Sequence, residues 1–149
     1  MEETMTEIKI KLMPGCEKFL PVKAHCDDAG YDLRSRVDIE LEPLSGAVVP
    51  AGFAMELPPG YEAQIRPRSG WAAKHHITVT NSPGTVDANY RGEVKVILFN
   101  LGSDIFPIRT GDRIAQMVIC KLPEVTLTEV PELTETDRGS GGFGSTGKE

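Results

Sequence analysis

The sequence predicts an all-β fold, namely a jelly-roll β-sandwich or barrel with one short helix and a flexible C-terminal tail. Three features predict it: short segments with apolar residues at alternate positions, turn-forming Pro, Gly, Asn and Asp between these segments, and a glycine-rich end. The length of 149 residues fits one domain, because domains of this size can bury a core of their own. We expect this domain to span residues 1–130 and the tail to span residues 131–149.

The strands are predicted in chain order from this alternation. Ile8, Ile10 and Leu12 alternate with lysines, as in a strand with one buried face. Further strands, each bounded by turn residues, are predicted at 37–41, 47–49, 60–65, 93–101 and 113–122. The run 94–99 begins alternating and ends continuously apolar, which predicts a central strand that is covered on both faces.

One helix and a mobile tail complete the prediction. The helix, of about two turns, is expected at residues 71–76 with Ser69 as its N-cap. From Pro131 onward the only large apolar residues are Leu133 and Phe143, too few to offset the entropy lost when the segment becomes ordered. The tail is therefore expected to be flexible.

The composition excludes several classes of protein. A net charge of -6 disfavours a nucleic-acid partner, since such binding rests on cationic side chains that neutralise phosphates. The N-terminus is acidic, and no apolar stretch approaches the roughly 18 residues of a membrane span, so a cytoplasmic protein without a membrane partner is expected. The cysteines Cys16, Cys26 and Cys120 lack zinc-site spacing and are expected to be free thiols.

Two polar segments are candidates for metal and phosphate chemistry. In AGYDL, residues 29–33, the carboxylate of Asp32 stands between apolar residues, although a solvated turn residue would look the same. In RPRSG, residues 66–70, guanidinium groups, the Ser69 hydroxyl and free amides at a helix start suit a phosphate. A charged loop with a helix cap is the alternative for this second segment.

Two further segments are candidates for catalysis and ligand contact. NSPGTVDANYRG, residues 81–92, is expected to form a hairpin between a strand near 78–80 and the long strand from 93. Asp87 and Tyr90 are close enough there to face one pocket, although Asp87 in an ordinary turn remains the alternative. In RIAQMV, residues 113–118, Gln116 either meets a ligand or pairs with backbone, since an unpaired buried amide costs about 1–3 kcal/mol.

The end of the tail, RGSGGFGSTG at residues 138–147, combines one cation and one aromatic ring with glycines. This chemistry suits a loop that folds over a phosphorylated nucleotide, and a disordered linker is the alternative. Gly142, Gly147 and Lys148 imitate a P-loop, but Glu149 stands where Ser or Thr is required, so a P-loop is excluded.

In this order and spacing the five segments resemble the five motifs of the trimeric dUTPases, and the resemblance runs from about residue 28 to 147. It implies a β jelly roll and a homotrimer with three active sites shared between subunits. It also implies Mg²⁺-dependent hydrolysis of dUTP to dUMP and pyrophosphate through water attack on the α-phosphorus. Such an activity limits uracil in DNA and supplies dUMP for thymidylate synthesis.

The resemblance also implies roles for single residues. Asp87 would be the general base, Tyr90 would lie beneath the deoxyribose and exclude a 2′-hydroxyl, and backbone around Asn81 and Gly84 would bind uracil. Asp32 would hold a water of the Mg²⁺ shell, while most of the metal's other ligands come from the substrate phosphates. The groups implied to bind the phosphate chain are Arg68, Ser69, Gly70 and Gln116. In the tail, Phe143 would stack on uracil, and the groups implied at the γ-phosphate are Arg138, Ser145 and Thr146.

Two other functions are compatible with this fold. dCTP deaminase shares it, but the pattern of that family has Trp where Tyr90 stands, and its deaminating Glu has no clear counterpart here. A protein-binding module without catalysis is the second alternative, and the intact polar motifs disfavour it.

Overall fold

The computed structural model describes residues 5–147, and its regular secondary structure is almost entirely antiparallel strands joined by loops and turns. In chain order the elements are β1 (Lys9–Leu12), β2 (Tyr31–Arg34), β3 (Ile39–Leu41), β4 (Ser45–Pro50), β5 (Phe53–Glu56), β6 (Tyr61–Arg66), α1 (Ser69–His75), β7 (Ile77–Val79), β8 (Gly84–Val86), β9 (Lys95–Asn100), β10 (Phe106–Ile108) and β11 (Arg113–Lys121). All of the predicted strands are present. The all-β jelly-roll prediction is confirmed.

Two larger sheets and two strand pairs enclose the core. One sheet has the order β2-β11-β6-β8 and the other β4-β9-β7, while β1 pairs with β5 and β10 pairs with β3. Side chains from all of these layers meet in one cluster, in which Leu33, Phe53, Leu98 and Ile114 are almost fully buried. This core holds the strand ends and loops that carry the polar segments.

Strand β9 is central in its sheet, as predicted, but the prediction that both of its faces are covered is wrong for the single chain. Val96 and Leu98 are buried, whereas Ile97 on the other face is 37% exposed. Its partner on β4 is Val48, which is 58% exposed. Side chains alternate along a strand, so the apolar run places Ile97 on a face that residues 5–147 leave partly exposed. We call Val48, Ile97 and the half-buried Phe99 the outer apolar face.

The helix begins two residues earlier than predicted, and the N-cap is Arg68 rather than Ser69. The first helical hydrogen bond runs from the Ala72 amide to the Arg68 carbonyl at 3.0 Å, which makes Ser69 the first helical residue. Arg68 is extended, with φ −84° and ψ 128°, and no side chain caps this end. The pyrrolidine ring of Pro67 begins the sharp change of direction, since it restricts the backbone before the helix.

The segment at residues 81–92 differs from the expected plain hairpin. The strands on either side of it do pair, because Ile77 lies opposite Asn100 and Val79 opposite Leu98 in β7 and β9. Between them, however, the chain crosses to the other sheet, where β8 pairs with β6. The segment at residues 81–92 therefore connects the two sheets. Strand β8 within it pairs with β6, and the strands that flank it, β7 and β9, pair with each other.

The chain leaves the core after β11. Residues 121–140 are exposed, and no strand or helix follows within the described part of the chain. The division at residue 130 and the flexibility of the tail stay predictions. The three cysteines are free thiols. Between residues 5 and 147, no helix has the length and apolar character needed to cross a membrane.

Candidate active site

Three of the polar segments meet at one edge of the four-stranded sheet. Strand β11 lies between β2 and β6, and Gln116 is the direct partner of Asp32 on one side and of Arg66 on the other. Directly opposed residues in antiparallel strands have Cα atoms about 4.5–5.5 Å apart. The segments AGYDL, RPRSG and RIAQMV therefore form one row, although they are far apart in the sequence.

The Gln116 amide is fixed in the middle of this row. Its Nε2 donates to the Pro67 carbonyl at 2.8 Å, so it has the backbone partner that was one of the two alternatives for this residue. A Cβ on Gly30 would lie only 2.5 Å from Gln116 Oε1, so a side chain there would displace the amide. A glycine at position 30 therefore leaves room for Gln116 in this position.

Arg113 joins the row together, although the sequence pattern assigned this arginine no individual role in the site. Nη1 of Arg113 lies 3.4 Å from Oδ2 of Asp32, and the Arg113 carbonyl accepts a hydrogen bond of 2.9 Å from Nη1 of Arg68. Arg113 stands in the fourth segment, but its carboxylate partner is 81 positions away. The presence of arginines at the starts of both the second and fourth segments is the signal that sequence reasoning had available.

The electrostatics of this edge are dominated by positive charge. Partial burial lowers the pKa of the Arg68 guanidinium, and the neighbouring charges of Arg113 and Arg34 lower it further, while Asp32 opposes the shift. An arginine with a lowered pKa still stays protonated near neutral pH, since its ordinary pKa lies far above neutrality. Arg68 also lies over Trp71, with its guanidinium carbon 5.7 Å from the ring centroid. The site is therefore suited to an anion with several charges.

Ser69 and Gly70 follow Arg68 as the first two residues of α1, and both are exposed. Their position beside the Asp32–Gln116–Arg66 row places a hydroxyl and backbone amides near the guanidinium groups. First-turn amides have no partner within their own helix. The structure therefore brings together five predicted site residues, which are Asp32, Arg68, Ser69, Gly70 and Gln116.

Asp87 and Tyr90 lie in a tight turn after β8. The Tyr90 amide donates to the Asp87 carbonyl at 3.1 Å, and the Tyr90 hydroxyl donates to the Glu93 carbonyl at 3.0 Å. Asp87 is exposed, and Tyr90 is 44% exposed. Both side chains are therefore open to a ligand, and the carboxylate is open to water.

The structure separates Asp87 from the row of Asp32, Gln116 and Arg66. Strand register pairs Gly84 with Ile65 and Val86 with Ala63, so Asp87 comes level with Glu62. Arg66 lies four residues further along β6, which corresponds to roughly 13 Å at about 3.3 Å per residue. Asn81 and Gly84 lie nearer to the row, at the level of Ile65 or beyond it. Within one chain, Asp87 therefore lies well away from this row along β6.

The tail residues also lie apart from the other segments. Nε of Arg138 donates to the Gly141 carbonyl at 2.8 Å, and Phe143 is fully exposed with a φ of 51°. Ser145 and Thr146 are exposed. Among the described residues, the hydrogen bonds of the segment 136–147 join tail residues to one another. The P-loop exclusion rested on Lys148 and Glu149, which lie outside the described residues.

A cleft of about 630 Å³ borders the turn after Asp87. Its lining includes Ala88, Asn89 and Arg91 from the turn and Lys9 and Glu56 from β1 and β5, but none of the predicted site residues. We therefore locate the candidate site by its chemistry and not by this cleft. In the part of the chain from residue 5 to 147, no group of three or more His, Cys, Asp and Glu side chains is arranged to hold a metal ion.

Comparisons with known proteins identify the family to which the chain is similar. The model of the dUTPase family matches residues 17–147. A deoxyuridine 5'-triphosphate nucleotidohydrolase of Gloeothece citriformis is 56% identical over 128 residues, which is 86% of this chain and 88% of that protein. The enzyme of the same name from Wolinella succinogenes is 52% identical over 150 residues, covering 97% of this chain and 99% of its own.

Solved structures give the same result. A mutant dUTPase of Staphylococcus bacteriophage 80alpha, determined with dUpNHpp, has a TM-score of 0.82 at 28% identity and covers 96% of this chain and 99% of its own. A mutant dUTPase from phage phi11 of S. aureus, described with a structural Mg(II) ion, has a TM-score of 0.77 at 26% identity. It covers 85% of this chain and 98% of its own. The match of the family model over most of the chain, together with these relatives, shows that this protein belongs to the dUTPase family.

Proposed function

We propose that this protein hydrolyses dUTP to dUMP and pyrophosphate by attack of water on the α-phosphorus. The activity would limit uracil in DNA and supply dUMP for thymidylate synthesis. The observation that carries the proposal is the row of Asp32, Gln116 and Arg66 beside Arg68, in a chain whose relatives are named deoxyuridine 5'-triphosphate nucleotidohydrolases.

The phosphate chain is bound at this row. Arg68 and Gln116 donate side-chain hydrogen bonds, while Ser69 and Gly70 donate from the hydroxyl and the backbone. Arg68 is already oriented, because its Nη1 is bonded to the Arg113 carbonyl at 2.9 Å. Fixed cationic donors stabilise negative charge as it develops on the leaving pyrophosphate, and they need no reorganisation during the reaction.

The donor set at this row also fits Mg²⁺ bound with the substrate. Asp32 offers a carboxylate beside the cationic groups that hold the phosphates, and Mg²⁺ prefers oxygen ligands and retains several waters. Asp32 would hold one of these waters, and the phosphates would supply most of the other ligands. When bound, the ion neutralises phosphate charge and favours the displacement.

The nucleoside is bound by the segment at residues 81–92. Backbone groups around Asn81 and Gly84 bind the uracil edge, and Tyr90 lies under the sugar, where it leaves no room for a 2′-hydroxyl. Asp87 removes a proton from the attacking water. Its exposed position is compatible with this role, since a general base must come within about 3 Å of the proton that it accepts.

The active protein is a homotrimer with sites shared between its subunits. Two observations support this arrangement. Asp87 and the phosphate row of the same chain are roughly 13 Å apart along β6, so the base and the phosphate groups of one site come from different copies. Val48 and Ile97 of the outer apolar face are exposed in the single chain, and contact between subunits would bury them.

The tail closes the site from the remaining subunit. Phe143 is free to stack on uracil, and Arg138, Ser145 and Thr146 would surround the γ-phosphate. All of these side chains are exposed and make few contacts with the domain, which leaves them available to a bound nucleotide. Closure of such a segment excludes bulk water from the reacting phosphates.

A coupled assay tests this function directly. Phosphate release in the presence of pyrophosphatase is measured with dUTP, dTTP, dCTP and UTP, with and without Mg²⁺. We expect rapid release from dUTP alone, and only with the metal. Conversion of dCTP to a deoxyuridine nucleotide would instead identify a deaminase, and no reaction with any nucleotide would favour a binding module.

A further inference from the structure

The carboxylate of Glu93 is largely buried, although it belongs to none of the predicted site residues. Its side chain is 16% exposed, and Nη1 of Arg36 donates to both of its oxygens at 3.1 Å. The Gly52 amide donates to Oε1 at 3.1 Å. The two donors, Arg36 and the Gly52 amide, hold this partly buried carboxylate in one position. Moving away from either donor would leave its negative charge without a partner, which costs free energy.

The backbone of the same residue holds Tyr90. The Tyr90 hydroxyl donates to the Glu93 carbonyl at 3.0 Å. The ring lies directly over Gly92, so that a Cβ on Gly92 would collide with the Tyr90 hydroxyl and its ring carbon. The angle of the ring is thus set by the backbone of residues 92 and 93, while its other side remains open to a ligand.

This backbone is joined to the core on the side away from Tyr90. The Val94 amide donates to the Phe53 carbonyl at 2.8 Å, and the Arg36 amide donates to the Pro50 carbonyl at 2.9 Å. The ion pair between Arg36 and Glu93 therefore connects the turn that carries Tyr90 to the loops after β2 and β4. The Glu93 side chain is bonded to Arg36 and Gly52, and the backbone of the same residue is bonded to the exposed Tyr90 ring.

We infer that Glu93, held by Arg36, is a positioning residue that fixes the Tyr90 ring and thereby sharpens the discrimination between deoxyribose and ribose. The inference rests on the proposed role of Tyr90 under the sugar. The Tyr90 ring can exclude an added 2′-hydroxyl by steric contact only if its position is fixed. A binding pocket that can change its shape rejects the larger substrate weakly. Without the carboxylate, the Glu93 carbonyl and the ring bonded to it lose one of their two anchors and keep only the bond between Val94 and Phe53.

The test is the ratio of kcat/KM for dUTP to that for UTP. The variants are Glu93→Ala, Glu93→Gln and, as reference, Tyr90→Ala. We expect the ratio to fall roughly three- to tenfold in Glu93→Ala, as for coupled residues in contact. A smaller fall is expected in Glu93→Gln, because the amide oxygen can still accept from Gly52. Glu40→Gln is the matched control, since Glu40 pairs with Arg109 at 4.0 Å and does not contact Tyr90.

The outcomes separate this inference from the function on which it rests. A reduced ratio in both Glu93 variants and an unchanged one in Glu40→Gln would support positioning. An unchanged ratio in the Glu93 variants beside a changed one in Tyr90→Ala would refute positioning alone, even if the Tm falls. An unchanged ratio in Tyr90→Ala would refute the sugar filter and the inference with it.

Discussion

The guanidinium of Arg113 and the carboxylate of Asp32 meet across the β2–β11 contact, with Nη1 and Oδ2 3.4 Å apart. The carboxylate is 18% exposed and the guanidinium 45%, so the pair lies at the surface of the phosphate row. Because the Arg113 carbonyl also accepts from Arg68, this one residue connects three of the polar segments. It orients Asp32 and adds positive charge where the phosphates would bind.

Replacing Arg113 by Ala should weaken dUTP binding more than it slows the chemical step. The substitution removes the cation beside Asp32 but leaves the backbone carbonyl that orients Arg68. We expect KM for dUTP to rise about tenfold or more, the usual effect of losing a charged hydrogen-bonding group. Steady-state kinetics with Arg109→Ala as the control measures this. An unchanged KM would mean that Arg113 has no part in the phosphate site.

Replacing Asp87 by Asn should preserve the fold and dUTP binding while removing most turnover. The amide has the same shape but lacks the basic oxygen, and general-base contributions amount to about 10²- to 10⁴-fold. Binding of a non-hydrolysable dUTP analogue and the rate of pyrophosphate formation give the two quantities. If the variant turns over at nearly the wild-type rate, Asp87 is not the base.

Much of the fold could be predicted from the local pattern of apolar and turn residues. The elements that this pattern missed or misplaced have physical reasons. The longer strands β9 and β11 are visible in the sequence as mainly apolar runs that turn residues separate from their neighbours. Strands of three residues, such as β8 and β10, are too short to show a period. The N-cap was misplaced because Ser69 is a favourable cap by residue type, whereas the first helical hydrogen bond is accepted by Arg68.

The candidate site residues could be predicted where the charged and polar groups of a motif are adjacent in the sequence. Arg68, Ser69 and Gly70 are of this kind, and the structure places them beside Gln116 as the motifs led us to expect. Arg113 and Glu93 were not predictable, because their partners Asp32 and Arg36 come from distant parts of the chain. Only the folded chain brings such ion pairs together. The exposure of Ile97 likewise depends on which face of the sheet it occupies, and the sequence alone does not give this.

Replacing Tyr90 by Ala should admit UTP. The ring is 44% exposed and would fill the space beside the 2′-position, so its removal opens room for a hydroxyl. We expect kcat/KM for UTP to rise relative to that for dUTP, by roughly 10- to 100-fold in the ratio, as for a lost steric contact. Both nucleotides are assayed with both proteins. An unchanged ratio would show that another group filters the sugar.

Deleting residues 135–149 should leave a stable trimer that is nearly inactive. Stability should survive because the last core strand ends at Lys121 and the described part of the deleted segment is largely exposed. Activity should fall because Arg138 and Phe143 would no longer close over the nucleotide. Sedimentation and dUTP turnover decide the matter. Full activity would refute the lid, and dissociation to monomers would show that the tail is structural.

Mixing two inactive variants tests the shared site most directly. In a trimer built from Asp87→Asn and Arg68→Ala subunits, one of three sites pairs an intact Asp87 with an intact Arg68 from its neighbour. Random assembly of equal amounts should therefore restore about a quarter of wild-type dUTP turnover, since three of four trimers are mixed. The measurement is pyrophosphate release from dUTP after the two proteins are unfolded together and refolded. Recovery near this level is the predicted result, and activity no greater than the mean of the separate variants would contradict a site assembled between subunits.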